Sequence, residues 1–201
     1  MLSLKIDKRK FETAVIIIAL GVSLRVALSH YLGSNIEPVL ALSLLAGLVL
    51  GSWYALAVPL VMMVLSDWLI YALDFGDLFG WRVILGISFF TWTGMLLAGA
   101  MGRVIKPKFL FRMKGVAVFT GVALVVTIIY DIWTMFGYML VLRQPLGITL
   151  AGQVEFSIYH ILSTLVFAPL FGTIYVYVHE YGDALFASKK HENKVPDDNK
   201  R

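Results

Sequence analysis

The sequence predicts an all-α integral membrane protein, a compact bundle of six transmembrane helices with a short second helix and both termini in the cytoplasm. Composition comes first: 59% of the 201 residues are hydrophobic and 15% are charged, and the mean hydropathy of +0.82 lies outside the range of soluble globular domains. The apolar residues form six separate runs, none with the alternation a membrane barrel needs. Lysine and arginine then sort to one side. Lys5, Lys8, Arg9 and Lys10 precede the first run. Arg103, Lys106, Lys108, Arg112 and Lys114 lie between the fourth and fifth, and Lys189, Lys190, Lys194, Lys200 and Arg201 end the chain. Only Arg82 and Arg143 fall on the opposite side, so the positive-inside rule places both ends in the cytoplasm.

Residues 1–12 read as a basic cytoplasmic segment, 13–182 as the membrane domain and 183–201 as a disordered cytoplasmic tail, polar, mixed in charge and carrying Pro196. The first run, Thr13 to Leu32, imitates a signal peptide that would end at Ala27-Leu28-Ser29. It exceeds the roughly 7 to 15 residues of a cleavable apolar region, and Arg25 interrupts it, so it reads as a retained helix. The second, Pro38 to Leu50, reaches only about 20 Å. It is a partial span, a tilted element, or a helix continuing through Gly51 and Ser52 into the third. The remaining runs, Trp53 to Leu73, Trp81 to Ile105, Gly115 to Leu142 and Ile148 to Val178, are each long enough to cross.

Inside these runs lie Arg25, Asp67, Asp131, Glu155 and His160, all at or beyond mid-depth toward the outer face. An ionised group at the centre of a bilayer costs at least about 2.5 to 3.5 kcal/mol, so five of them imply mutual pairing, a water-filled cavity or a polar ligand. Polar or aromatic neighbours recur at helical spacing: Tyr71 and Asp74 with Asp67, Thr127 and Thr134 with Asp131, Tyr159 with Glu155, and the face Ser88, Thr91, Trp92 and Met95. Arg25 can pair with Asp67 or with Asp131 to hold helices together. One arginine does not neutralise three carboxylates, so either some are protonated or a ligand brings positive charge. His160 is expected to bond a nearby backbone carbonyl. Trp53 and Trp81 fit an interfacial belt; Trp68, Trp92 and Trp133 lie deeper, and Trp92 is the favoured stacking surface because its stripe is otherwise polar.

Small residues four apart form ridges at Ala19, Ser23 and Ala27, at Gly94, Ala98 and Gly102, and at Gly47 with Gly51. Such ridges let helices approach closely, and one in excess of the bundle's own needs is a docking surface. Catalytic motifs are lacking. The sequence has no cysteine and no phosphate-binding loop, His179-Glu180 lacks a second zinc-protease histidine, and no Gly-x-Ser-x-Gly occurs. Glu155 and His160, five apart, lie about 140° apart on a helix, which argues against joint metal ligation. No catalytic residue, metal or cofactor is expected, and the basic residues follow topology rather than nucleic acid.

The stretch from Arg25 through Gly33-Ser34-Asn35-Ile36-Glu37-Pro38 into the short second run, then Val58-Pro59-Leu60 to Ser66-Asp67, resembles the substrate-binding S components of energy-coupling factor transporters. The likeness covers roughly Thr13 to Gly182. It implies a non-enzymatic subunit in the cytoplasmic membrane of a prokaryote that captures a vitamin-like micronutrient from outside. A transmembrane coupling protein and two cytoplasmic ATPases would drive import. The resemblance makes Ala19, Ser23 and Ala27 the docking ridge, with serine where the family has alanine, and Asn35 and Glu37 part of a gating loop. The substrate contacts would be Arg25, Asn35, Glu37, Asp67, Tyr71, Trp92, Asp131, Glu155 and Tyr159. No signature of the thiamine, riboflavin or biotin members is present. The competing readings are a stand-alone ion-coupled carrier in which Asp67 or Asp131 changes protonation, a small intramembrane enzyme acting on lipid through Asp131 and His160, and a purely structural subunit.

Overall fold

The computed structural model describes residues 7–32, 36, 38–72, 80–106 and 113–192, with side chains throughout except at 32, 113 and 179–192. Six helices follow in order: α1 (Lys8–Leu32), α2 (Val39–Val49), α3 (Tyr54–Ile70), α4 (Trp81–Ile105), α5 (Met113–Leu142) and α6 (Leu146–Glu192). The described residues contain no strand. Four helices are apolar and long enough to cross a membrane, within Lys8–Tyr31, Trp81–Ile105, Lys114–Leu142 and Leu146–Val178, while α2 and α3 are shorter apolar helices.

The helix ends have local causes. Asp7 caps α1, its carboxylate accepting from the Arg9 amide at 3.1 Å. The chain leaves α2 through two consecutive left-handed residues, Gly51 at φ 61° and Ser52 at φ 51°. Glycine adopts that conformation without a Cβ penalty, so α2 stops here. Of the three readings of the second run, continuation into α3 is therefore overturned, and Gly51 is a turn residue and no part of a ridge. Lys106, at the end of α4, donates from Nζ to the Val49 carbonyl at 3.0 Å, satisfying an orphan acceptor and placing a cation at the negative end of α2.

The short α2 is the centre of the molecule. It packs against all five other helices, which follow one another around it in the order α1, α3, α4, α5, α6. Val39, Leu40, Leu42, Leu44, Ala46 and Leu48 are almost wholly buried. Outward-facing residues on the other helices are largely apolar, among them Ile16, Leu60, Phe89, Ile132 and Leu162, as lipid contact demands.

Small residues set how closely the helices approach, in a pattern the ridges only half anticipated. A Cβ on Gly99 would overlap the Ala55 carbonyl oxygen and come within 2.9 Å of Pro59 Cγ; one on Gly102 would overlap the Leu44 carbonyl, and one on Gly47 the Gly99 carbonyl. The helices α2, α3 and α4 thus meet backbone to backbone. Pro59 explains why Ala55 is the contact, since a proline has no amide to donate to the carbonyl four residues earlier. That freed oxygen faces Gly99, where only the absence of a Cβ leaves it room. On α4, Ala98 and Gly102 are buried as expected, but Gly94 turns to Tyr130 of α5 and the unpredicted Gly99 makes the close crossing.

Candidate functional site

The charged residues separate into three settings. Arg25 of α1 and Asp67 of α3 form an ion pair, with Arg25 also donating to Ser66 Oγ at 2.6 Å. The second oxygen of Asp67 accepts from the indole nitrogen of Trp92 on α4 at 2.6 Å. The Ser66 hydroxyl in turn donates a hydrogen bond to the Met62 carbonyl at 2.7 Å. One carboxylate therefore ties three helices, with the side chains of Arg25 and Asp67 only 14% and 9% exposed. Tyr71, one turn beyond Asp67, lies within the electrostatic reach of Asp67 and Arg25 and beside Ser88. The expected alternatives for Arg25 are decided in favour of Asp67, and Trp92 belongs to the cluster as a hydrogen-bond donor.

Asp131 stands elsewhere. Its Oδ1 lies 2.7 Å from Nδ1 of His160, joining α5 to α6, and both side chains are almost fully buried. The expectation that His160 bonds a backbone carbonyl is thereby corrected; sequence spacing on one helix does not show which residue of another helix stands opposite. Thr127 and Thr164 meet at 2.8 Å between the same two helices. Thr134 turns its hydroxyl back to the Tyr130 carbonyl at 3.0 Å. This Ser and Thr back-bonding satisfies hydroxyls that hydrocarbon would otherwise strand.

Glu155 is the third case. It is exposed and lines a groove of about 290 Å³ between the C-terminal end of α5 and the N-terminal end of α6, with Tyr138, Gln144, Thr149, Gln153 and Phe156. Tyr159 is 44% exposed. Asn35, Glu37 and Asp74 lie outside the described residues. Among the deeper tryptophans, Trp68 is 68% exposed, and Trp133 is bound through its indole to Thr93 Oγ1 at 2.9 Å. Among the described residues, no group of three or more histidine and acidic side chains could hold a metal ion.

Three carboxylates are thus accounted for separately: Asp67 by arginine and indole, Asp131 by histidine, and Glu155 by an open groove. Of the alternatives open to these charges, mutual pairing holds for Asp67 and Asp131, and Glu155 stands apart from both pairs in its groove. Sequence reasoning passed over Ser66, although its place beside Asp67 on a helix that meets Arg25 was a usable signal.

Fold and site together define a helical membrane protein with hydrogen-bonded charges among its helices. The chain belongs to the family of unknown function DUF6580, whose profile matches residues 5–185. No curated protein and no solved structure matches the chain.

Proposed function

We propose that the chain is a membrane-embedded capture subunit of an ATP-driven importer, binding a vitamin-like or other small micronutrient from the outer side. The observation that carries the reading is the cluster of Arg25, Asp67 and Trp92, with Tyr71 and Ser88 beside it. An arginine, a carboxylate, an indole and a phenol converge from three helices where a planar polar molecule can be hydrogen-bonded and stacked. Because Arg25 already balances Asp67, the cargo need not be cationic, and aromatic character becomes the better criterion.

The outer face of α1 supports the same reading. Its inward contacts come from Ala14, Ile17 and Gly21. Ala19, Ser23 and Ala27 are exposed, with Ile16 and Leu20 beside them. The bundle does not use this small-residue ridge, which leaves it open to close approach by a coupling protein. Energy would then come from that protein's ATPases, and docking would release the cargo by favouring a state that binds it less well.

The purified chain in detergent, screened by thermal shift against vitamins, their precursors, nucleobases and cationic metabolites, is expected to give one strong stabilising hit, since a ligand selective for the folded state raises its apparent stability. That shift is expected to vanish in Trp92→Phe. Silence across the whole screen with well-folded protein refutes the capture reading. Ala19→Trp is expected to keep the thermal shift and abolish cellular uptake of the same compound; undiminished uptake removes the docking role of α1.

A further inference from the structure

The pair Asp131 and His160 is not used by the capture reading, and its chemistry points to a ligand smaller than any solute. Beyond their shared hydrogen bond, Asp131 Oδ2 and His160 Nε2 are buried without a hydrogen-bond partner, each sealed from solvent. Buried polar atoms are normally satisfied, and a charged pair left half-satisfied between lipid-facing helices is costly. Nε2 of a neutral imidazole that donates through Nδ1 is an acceptor, and the simplest species it can take is a proton.

We propose that Asp131 and His160 form a proton-binding site inside the membrane domain, loaded from the groove between α5 and α6 past Phe156. With Asp131 ionised, Nδ1–H donates to Oδ1 and Nε2 holds a bare lone pair. A proton taken from the aqueous side onto Nε2 converts the pair from a net charge of minus one to a neutral carboxylate and imidazolium. No bond breaks within the pair, and one unit of charge is removed from the membrane interior.

The route is laid out by the α6 register. Phe156 lies one turn from His160; it lines the groove that holds Glu155, and its ring meets the imidazole edge to face at 5.6 Å. Tyr130 closes the other side, its ring 5.2 Å from the imidazole. Tyr130 is a titratable neighbour that faces the pair. The buried Thr127 and Thr134 of α5 and Ser163 and Thr164 of α6 are neutral. Of the other helices packed on this pair of helices, α2 has no titratable residue and α4 has charges only at Arg82 and Arg103, near its ends.

The test uses the full chain in lipid nanodiscs with ¹⁵N-labelled histidine rings, the His160 signal being assigned from the spectrum of His160→Gln. Between about pH 9 and about pH 5, His160 is expected to pass from one protonated ring nitrogen to two. In Asp131→Asn the midpoint is expected to move by about one pH unit or more, because the carboxylate hydrogen-bonded to the imidazole is gone. Phe156→Ala is expected to shorten the ring-proton exchange lifetime roughly tenfold. A His160 signal that keeps one pattern throughout overturns the proposal, and so does an unmoved midpoint in Asp131→Asn. An unchanged exchange lifetime in Phe156→Ala overturns the groove as the route. Should Asp131→Asn fail to fold, the unmodified chain's titration decides alone. None of these readouts depends on the cargo, so the proposal stands or falls apart from the capture reading.

Discussion

Gly99→Val is expected to abolish folding of the membrane domain. Any side chain at Gly99 collides with the Ala55 carbonyl and with Pro59 Cγ, and both belong to a proline-containing turn of α3 that cannot slide aside as a flexible side chain would. The variant must separate α3 from α4, and α4 also carries Gly102 against α2. Overpacking a core costs about 1 to 3 kcal/mol when side chains can yield. Here the obstacle is backbone, so the cost is expected to exceed about 3 kcal/mol, a large part of a typical protein's whole stability. Size-exclusion chromatography in mild detergent should show aggregate in place of a monodisperse peak, and Gly99→Ala, whose Cβ meets the same Ala55 carbonyl, should be strongly destabilised as well. Gly121→Ala and Gly152→Ala are the controls: a Cβ at either meets nothing within 4 Å, and alanine favours helix by up to about 1 kcal/mol. If Gly99→Val melts like the unmodified chain, the close crossing of α3 and α4 is wrong.

The second large effect concerns the ion pair. Arg25→Leu alone is expected to cost about 3 to 5 kcal/mol, because it leaves the largely buried Asp67 carboxylate without its cation. Asp67→Leu is expected to cost a similar amount and also strips the indole of Trp92 of its acceptor. The double replacement Arg25→Leu with Asp67→Leu is expected to recover most of that loss, since two apolar groups need neither partner. Denaturant unfolding in mixed micelles measures all three. A double variant as unstable as the sum of the singles would mean that the two side chains act independently and do not form the pair.

Much of this fold was legible because the bilayer simplifies the reading. Apolar runs must be helices, since only helices and closed barrels satisfy their own backbone there, and five of the six runs lie close to their helices in the structure. Arg25 and Asp67 were legible as partners for the same reason, as opposite charges in hydrocarbon seek each other. What the sequence withheld is neighbourhood. Nothing along α5 or α6 says that Asp131 faces His160, and Arg25 was an equally good partner for it on paper. Gly99 was missed because a four-residue ridge was sought through Gly94, Ala98 and Gly102, whereas α4 presents small residues to α5 on one side and to α2 and α3 on the other. Glu155 was read inward because its neighbour Tyr159 shared its stripe; both are exposed, and only the packing of α5 against α6 turns the Glu155 side into a groove.

The central place of α2 has a consequence for how the protein is made. Eleven residues span about 16 Å, roughly half a hydrocarbon core, so α2 has no stable position in lipid as an independent segment. Its carbonyl end is satisfied by Lys106 and its glycine seam by α4, and α4 is synthesised some forty residues later. During co-translational insertion, α2 must therefore wait at the membrane interface or in the insertion machinery until α3 and α4 have emerged. The centre of this bundle therefore gains its full set of partners only after the helices that enclose it have been made.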